Sequence, residues 1–182
     1  MSYIRTYNNL VFDYKNIDPL EISILDIAKA LSHIPRWLGH TKTFYSVAQH
    51  CCWCYDNTKG DKLEALMHDA PEAYTGDCPT PLKQMLPDFM AIEDKISKVI
   101  ADKYGFQYPY TEQTKDVDKR ALLLERTFIK KLDVNWKPLK APITDNGLDY
   151  WTPSRAEKEF LKRFTEIKKL KEDESTVTVN NS

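Results

Sequence analysis

Hydrophobic and polar positions follow two different periods along this chain. At the start, "MSYIRTYNNLVFDY" (residues 1–14) sets two β-prone runs around Asn8-Asn9, a pair that tolerates positive φ. That pattern predicts a short β-hairpin. The period then lengthens. Asp18 followed by Pro19 reads as a helix cap with proline at the first helical position. Ile22, Leu25, Ile27, Ala28 and Leu31 form an apolar stripe near helical spacing. Pro35 and Gly39 end the stripe, so "SHIPRWLGHT" is expected to be a loop. Helix resumes near Phe44, and Asp61 caps a third helix, "KLEALMHD". Pro71 ends or kinks it, because the residue before proline avoids the helical region. "TGDCPTPLK" reads as a loop. Helix is expected again over 88–104, stopped by Gly105, and through "TKDVDKRALLLERTFIKKL". Pro138, Pro142 and Gly147 mark irregular chain. A last helix over 153–170 carries Phe160, Phe164 and Ile167 on one face.

The fold class implied is all-α, with a short β-hairpin at the N-terminal end. A chain of 182 residues suits one domain, expected over 1–171. The segment 172–182, "EDESTVTVNNS", lacks a packing stripe and is expected to be frayed or disordered. There is no internal repeat, and no GxGxxG or Walker pattern.

Composition narrows the partners. Apolar residues make up 42% and charged residues 29%, and the net charge is -1. Such a balance provides no broad basic footprint, so polymeric nucleic acid is not an expected partner. A local basic pocket for a small anion remains compatible with it. No apolar run approaches the ~18 residues of a membrane span, and none follows Arg5 as a secretory start would require. The expected compartment is the cytoplasm, where the four cysteines would be free thiols.

"VAQHCCWCYD" packs Cys51, Cys52 and Cys54 beside His50. Structural zinc sites draw their ligands from two separated pairs, and Cys78 lies far off. On a helix, adjacent residues point about 100° apart, so Cys51 and Cys52 cannot easily share an ion. Cys51 and Cys54 share a face with Val47, and the simplest reading is that they are small buried hydrophobes. A thiolate metal site or a redox centre is the alternative.

Of the four histidines, His68 is followed directly by Asp69 at the end of an apolar helix. A buried acid beside a histidine is costly unless something compensates it. A divalent cation would do so. Imidazole with carboxylate suits zinc, manganese, iron or cobalt, and added carboxylates and water admit magnesium. A further acid must come from elsewhere. Asp116 and Asp118 both open the expected helix "DVDKRALLLER"; Asp116 reads as an N-cap and Asp118 as the better ligand.

The ordered set His50, His68-Asp69 and Asp118 resembles the H…HD…D signature of the HD-domain metal-dependent phosphohydrolases. "SVAQHCCWC", "ALMHDAPEAYTGDCPTPLK" and "DVDKRALLLE" are similar to segments of small members of that group, as is "DPLEISILDIAKALSHIPRWLGHTKTFYSVAQH". Those members include 5′-deoxynucleotidases and phage-type dATP triphosphohydrolases. The resemblance covers roughly residues 1–135. It implies an all-α bundle in which His50, His68, Asp69 and Asp118 hold one divalent ion, with the thiols as neighbours. Cys51, Cys52 and Cys54 depart from the residues other members carry there. The resemblance further implies catalytic roles for Glu72 and Asp77, in orienting water or protonating the leaving oxygen. It implies a small nucleotide substrate, a homo-oligomer, and the host cytoplasm if the chain is phage-encoded.

Arg36 offers a two-pronged fork for phosphate and Trp37 a ring for stacking on a base or sugar. Lys83 is a second phosphate candidate. His33 and His40 are not expected as ligands, although His40 can line the pocket. The expected activity is hydrolysis of a (deoxy)nucleotide 5′-phosphate ester, by release of phosphate or of triphosphate. The competing reading is a catalytically silent fold that senses a nucleotide or holds a protein partner.

Overall fold

A computed structural model describes residues 1–128 and 150–179. The hairpin is present: β1 (Tyr3–Arg5) pairs antiparallel with β2 (Val11–Asp13), placing Ile4 opposite Phe12. Asn9 takes φ 63° in the connection, as an asparagine can at little cost. Phe12 is the hairpin's anchor. It is buried and stacks on Tyr74 with ring centroids 4.0 Å apart.

Everything else regular among the described residues is helical. Asp18 does cap a turn with Pro19 at its start, but that turn is a three-residue 3-10 segment, Pro19–Glu21. The first long helix, α1 (Ile24–His33), has its own cap, in which the Ser23 hydroxyl accepts from Leu25 N–H. The Ile22–Leu31 stripe is therefore split. Ile27, Ala28 and Leu31 are buried, whereas Leu25 is 53% exposed. Next come α2 (Val47–Asn57), α3 (Lys62–Met67), α4 (Glu72–Thr75) and α5 (Thr80–Lys83). Helix α2 starts three residues later than expected, at the Ser46 cap, which leaves Phe44 outside and partly exposed. The "TGDCPTPLK" segment is not all loop, because Pro81 sits in the first turn of α5, where its missing N–H costs nothing.

Helix α6 (Pro87–Tyr104) ends at Gly105 in the left-handed conformation. Helix α7 (Glu112–Phe128) begins earlier than expected. Thr111 is at its start, and its hydroxyl accepts from Thr114 N–H. Asp116 and Asp118 thus lie in the helix body; Asp116 is exposed and paired with Arg120 one turn on. Helix α8 (Pro153–Val179) continues past Leu170 into the stretch expected to be irregular. Lys and Glu are good helix formers, so the backbone can propagate where the apolar stripe has stopped. The expectation around Pro138, Pro142 and Gly147 lies outside the described residues.

The layout is a helical bundle around α2. That helix touches α1, α3, α7 and α8, and α8 also crosses α1 and α3. Enclosure on nearly all sides explains why α2 buries Gln49 and His50 along with its apolar residues. Phe160, Phe164 and Ile167 of α8 join Ile27, Leu31, Val47, Cys51 and Leu66 in one core. No helix among the described residues is long and apolar enough to cross a membrane.

Phe160 is fully buried in that core. Phe160→Ala should lower unfolding stability by about 3–5 kcal/mol in urea titration. A loss below about 1 kcal/mol, the scale of a surface change, would show that α8 does not seal the bundle.

Candidate metal centre and cleft

Four side chains from three helical segments meet at one point. His50 projects from α2, His68 and Asp69 from the end of α3, and Asp118 from α7. His50 Nε2 lies 3.2 Å from His68 Nε2 and 3.2 Å from Asp118 Oδ1. It is 3.4 Å from Asp69 Oδ2. His68 Nε2 is 3.3 Å from Asp69 Oδ1 and 3.8 Å from Asp118 Oδ1. All four ligands expected from the sequence are therefore brought together.

The outer nitrogens fix the tautomers. His68 Nδ1 lies 2.9 Å from the Ala65 carbonyl, which can only accept, so this nitrogen donates. His50 Nδ1 lies 2.6 Å from Glu125 Oε1 and donates likewise. Each neutral ring then turns an Nε2 lone pair toward the other. Two lone pairs 3.2 Å apart, flanked by two carboxylates, call for a cation or a proton between them. The spacing fits an ion. Donors 3.2–3.8 Å apart subtend roughly 100–130° at a metal about 2.1 Å from each. Backing of each imidazole by a carbonyl or carboxylate is the usual support for a metal-binding histidine.

The cysteines are closer to this point than expected. Donor atoms of His50, Cys54 and His68 lie within 4.8 Å of one another, as do those of Cys51, His68 and Asp69, and each group could hold a metal ion. Cys51, Cys52 and Cys54 are buried and unpaired with one another, in keeping with their reading as small hydrophobes.

Sequence reasoning missed Glu125. Its carboxylate is buried and accepts from His50 Nδ1, from Arg36 Nε at 3.0 Å and from Trp37 Nε1 at 3.0 Å. Burial opposes its ionisation, but Arg36 and His50 outweigh that and hold its pKa below the usual range. A signal existed. Glu125 follows Asp118 by two helical turns and interrupts the apolar run "ALLLER".

Arg36 and Trp37 occupy a turn in which Trp37, Leu38 and Gly39 all take positive φ, at 59°, 52° and 77°. Arg36 was expected to grip phosphate. Here it is buried and directs its fork at Glu125 and, at 3.3 Å, at Asp69. Trp37 was expected to stack on substrate; its ring is half-buried and its N–H goes to Glu125. Both therefore brace the centre from behind.

In front of it a cleft of about 320 Å³ opens, lined among others by His68, Asp69, Glu72, Lys83, Tyr110 and Asp118. That volume suits a small molecule. Glu72 is buried, and its Oε2 has no hydrogen-bond partner among the described residues. Burial, with the charges of Asp69 and Asp77, raises its pKa well above the carboxylate range. Asp77, in the loop after α4, is raised by burial, while Arg36 works in the opposite direction. It does not line this cleft. Lys83 does, paired with Glu93 at 2.7 Å.

The sequence was compared with known proteins. No family model matches it. The uncharacterized protein YfdR of Escherichia coli (strain K12) is 38% identical over 175 residues, covering 94% of this chain and 98% of YfdR. This chain belongs to the YfdR family. The uncharacterized protein RCAP_rcc00048 of Rhodobacter capsulatus is 33% identical over 98 residues, which span 48% of this chain and 50% of that protein. The match to YfdR spans nearly the whole length of both proteins.

Cation uptake should depend on pH with a definite sign. Burial opposes charge on His68, yet Asp69 and the Asp118 hydrogen bond push its pKa up to about 9 in the cation-free protein. An ion must displace that proton, and His50 is raised in the same direction, so affinity should rise with pH through neutrality and beyond. Titration calorimetry of manganese in buffers of different ionisation enthalpy should register proton release; pH-independent affinity would contradict the site. Glu125→Gln removes the charge behind His50 and should weaken binding by roughly 10–100-fold, with helix content unchanged by circular dichroism.

Proposed function

We propose that this protein is an HD-type metal-dependent phosphohydrolase that cleaves the 5′-phosphate ester of (deoxy)nucleotides. The observation that carries the reading is the convergence of His50, His68, Asp69 and Asp118 at the inner end of a cleft beside the orphaned oxygen of Glu72. A divalent ion of the zinc, manganese, cobalt, iron or magnesium class, when bound there, offsets charge on the phosphoryl oxygens and acidifies water.

The protein's own residues supply the rest. Two histidines and two carboxylates fix the ion's place. Arg36 holds Asp69 through a charge-assisted hydrogen bond and so orients that ligand. Glu72 faces the cleft with a raised pKa, which suits it to carry a proton to the leaving 5′ oxygen as the P–O bond breaks. A cation would offset the contribution of Asp69 to that shift but not the contribution of burial. Asp77, outside the cleft, acts on it through charge, by helping to raise the pKa of Glu72. Lys83 offers the cleft a positive charge for phosphate.

Charge in the cleft favours one of the two chemistries. Among the described residues lining it, Lys83 is the one lysine or arginine, and it already pairs with Glu93. Arg36 is committed to Glu125 and Asp69. A monophosphate needs fewer cationic partners than a triphosphate, so 5′-deoxynucleotidase action is preferred to triphosphohydrolysis.

The test is a panel of nucleoside mono- and triphosphates with each divalent metal, with phosphate and triphosphate resolved among the products. Phosphate release from deoxynucleoside monophosphates is expected. Metal and nucleotide binding without turnover on any member would instead support a silent sensing module. Asp69→Ala should bring activity to background and weaken metal binding. Glu72→Gln should keep the metal and lower turnover about 10²–10⁴-fold; unchanged turnover would remove Glu72 from the mechanism.

A further inference from the structure

We propose that Cys54 is a fifth protein donor to the ion of the His/Asp centre, which makes this centre a partly thiolate site selective for softer metals. The inference rests on that centre holding a cation, and goes beyond it in naming a ligand and a metal class.

Position comes first. Cys54 stands four residues after His50 on α2, so both side chains leave the same face of one helix. Its Sγ lies 3.6 Å from His50 Nε2. That separation falls within the 3.2–3.8 Å spread between the nitrogen and oxygen donors. With bonds of about 2.3 Å to sulfur and about 2.1 Å to nitrogen, it corresponds to roughly 110° at the ion, inside the range the other donors span.

The surroundings point the same way. Cys54 is fully buried, and Ala65, Val117 and Ala121 pack around it. Those side chains offer the thiol no acceptor. Its sulfur meets His50 Nε2. That nitrogen points to the place shared with His68, Asp69 and Asp118. An ion held there lies within reach of the sulfur, which binds it as thiolate with the proton released to solvent. Cys51 is placed differently. Its sulfur groups with His68 and Asp69 rather than with both imidazoles.

The chemical consequence is selectivity. Imidazole and carboxylate alone accept manganese or magnesium readily, whereas a thiolate shifts preference toward zinc, cobalt and iron.

Cobalt(II) reads the bond directly, because thiolate ligation produces a charge-transfer band in the near ultraviolet. The full chain loaded with one equivalent of cobalt should show the band. Cys54→Ala should lose it while still binding cobalt, and Cys51→Ala should keep it. The zinc-to-manganese affinity ratio should fall by roughly tenfold or more in Cys54→Ala. X-ray absorption of the zinc-loaded wild-type chain needs no variant and should detect a sulfur neighbour at about 2.3 Å. One cobalt bound with no band, or a band that survives in Cys54→Ala and vanishes in Cys51→Ala, would overturn Cys54 ligation and leave the His/Asp centre standing. Failure to bind cobalt at all would overturn both.

Discussion

The buried Glu125 carboxylate is the interaction on which the centre depends. One oxygen takes the His50 Nδ1–H, and the other takes Arg36 Nε and Trp37 Nε1. Three segments distant in sequence, the turn after α1, the central helix α2 and the long helix α7, are tied at one charge. A buried carboxylate without such partners would be strongly disfavoured. With them it sets the tautomer of His50 and, through Arg36, reaches Asp69. The geometry of the donors is thus a consequence of satisfying one acid in the interior.

The helices provide the frame for that acid. Because α2 is enclosed by α1, α3, α7 and α8, His50 is fully buried and its ring is held by packing as well as by hydrogen bonds. His68 lies at the end of α3, where its backbone carbonyl accepts from the Tyr110 hydroxyl at 2.7 Å and its Nδ1 turns back to Ala65. Asp118 is the most exposed of the four, at 43% for its side chain, and it faces the cleft. A buried wall of nitrogen and sulfur with a solvent-facing carboxylate leaves one side of the centre open to a small molecule.

Much of this was legible in the chain. Alternation around Asn8-Asn9 and the helical stripes specify the hairpin and most helices, because burial of one face imposes those periods. His68, Asp69 and Asp118 were legible as candidate donors from residue type, and His50 joined them through the resemblance of the ordered set to the H…HD…D signature. Helix starts were less legible. Ser23, Ser46 and Thr111 act as caps, and each competes locally with other polar residues for that role.

The sequence alone determined the fold class and the helical stripes, which follow from residue type and spacing, and marked His50, His68, Asp69 and Asp118 as candidate donors through the resemblance of their order to a known signature. Tertiary structure alone decided how the remaining charges are shared. Arg36 and Trp37 look like substrate contacts in a linear string, yet packing of α7 against α2 brings Glu125 to them and turns both toward the interior. Cys54 reads as a small core residue until the fold sets its sulfur beside His50. Spacing along one helix limits which side chains share a face, but contact between helices depends on how whole surfaces pack, and no single segment encodes that.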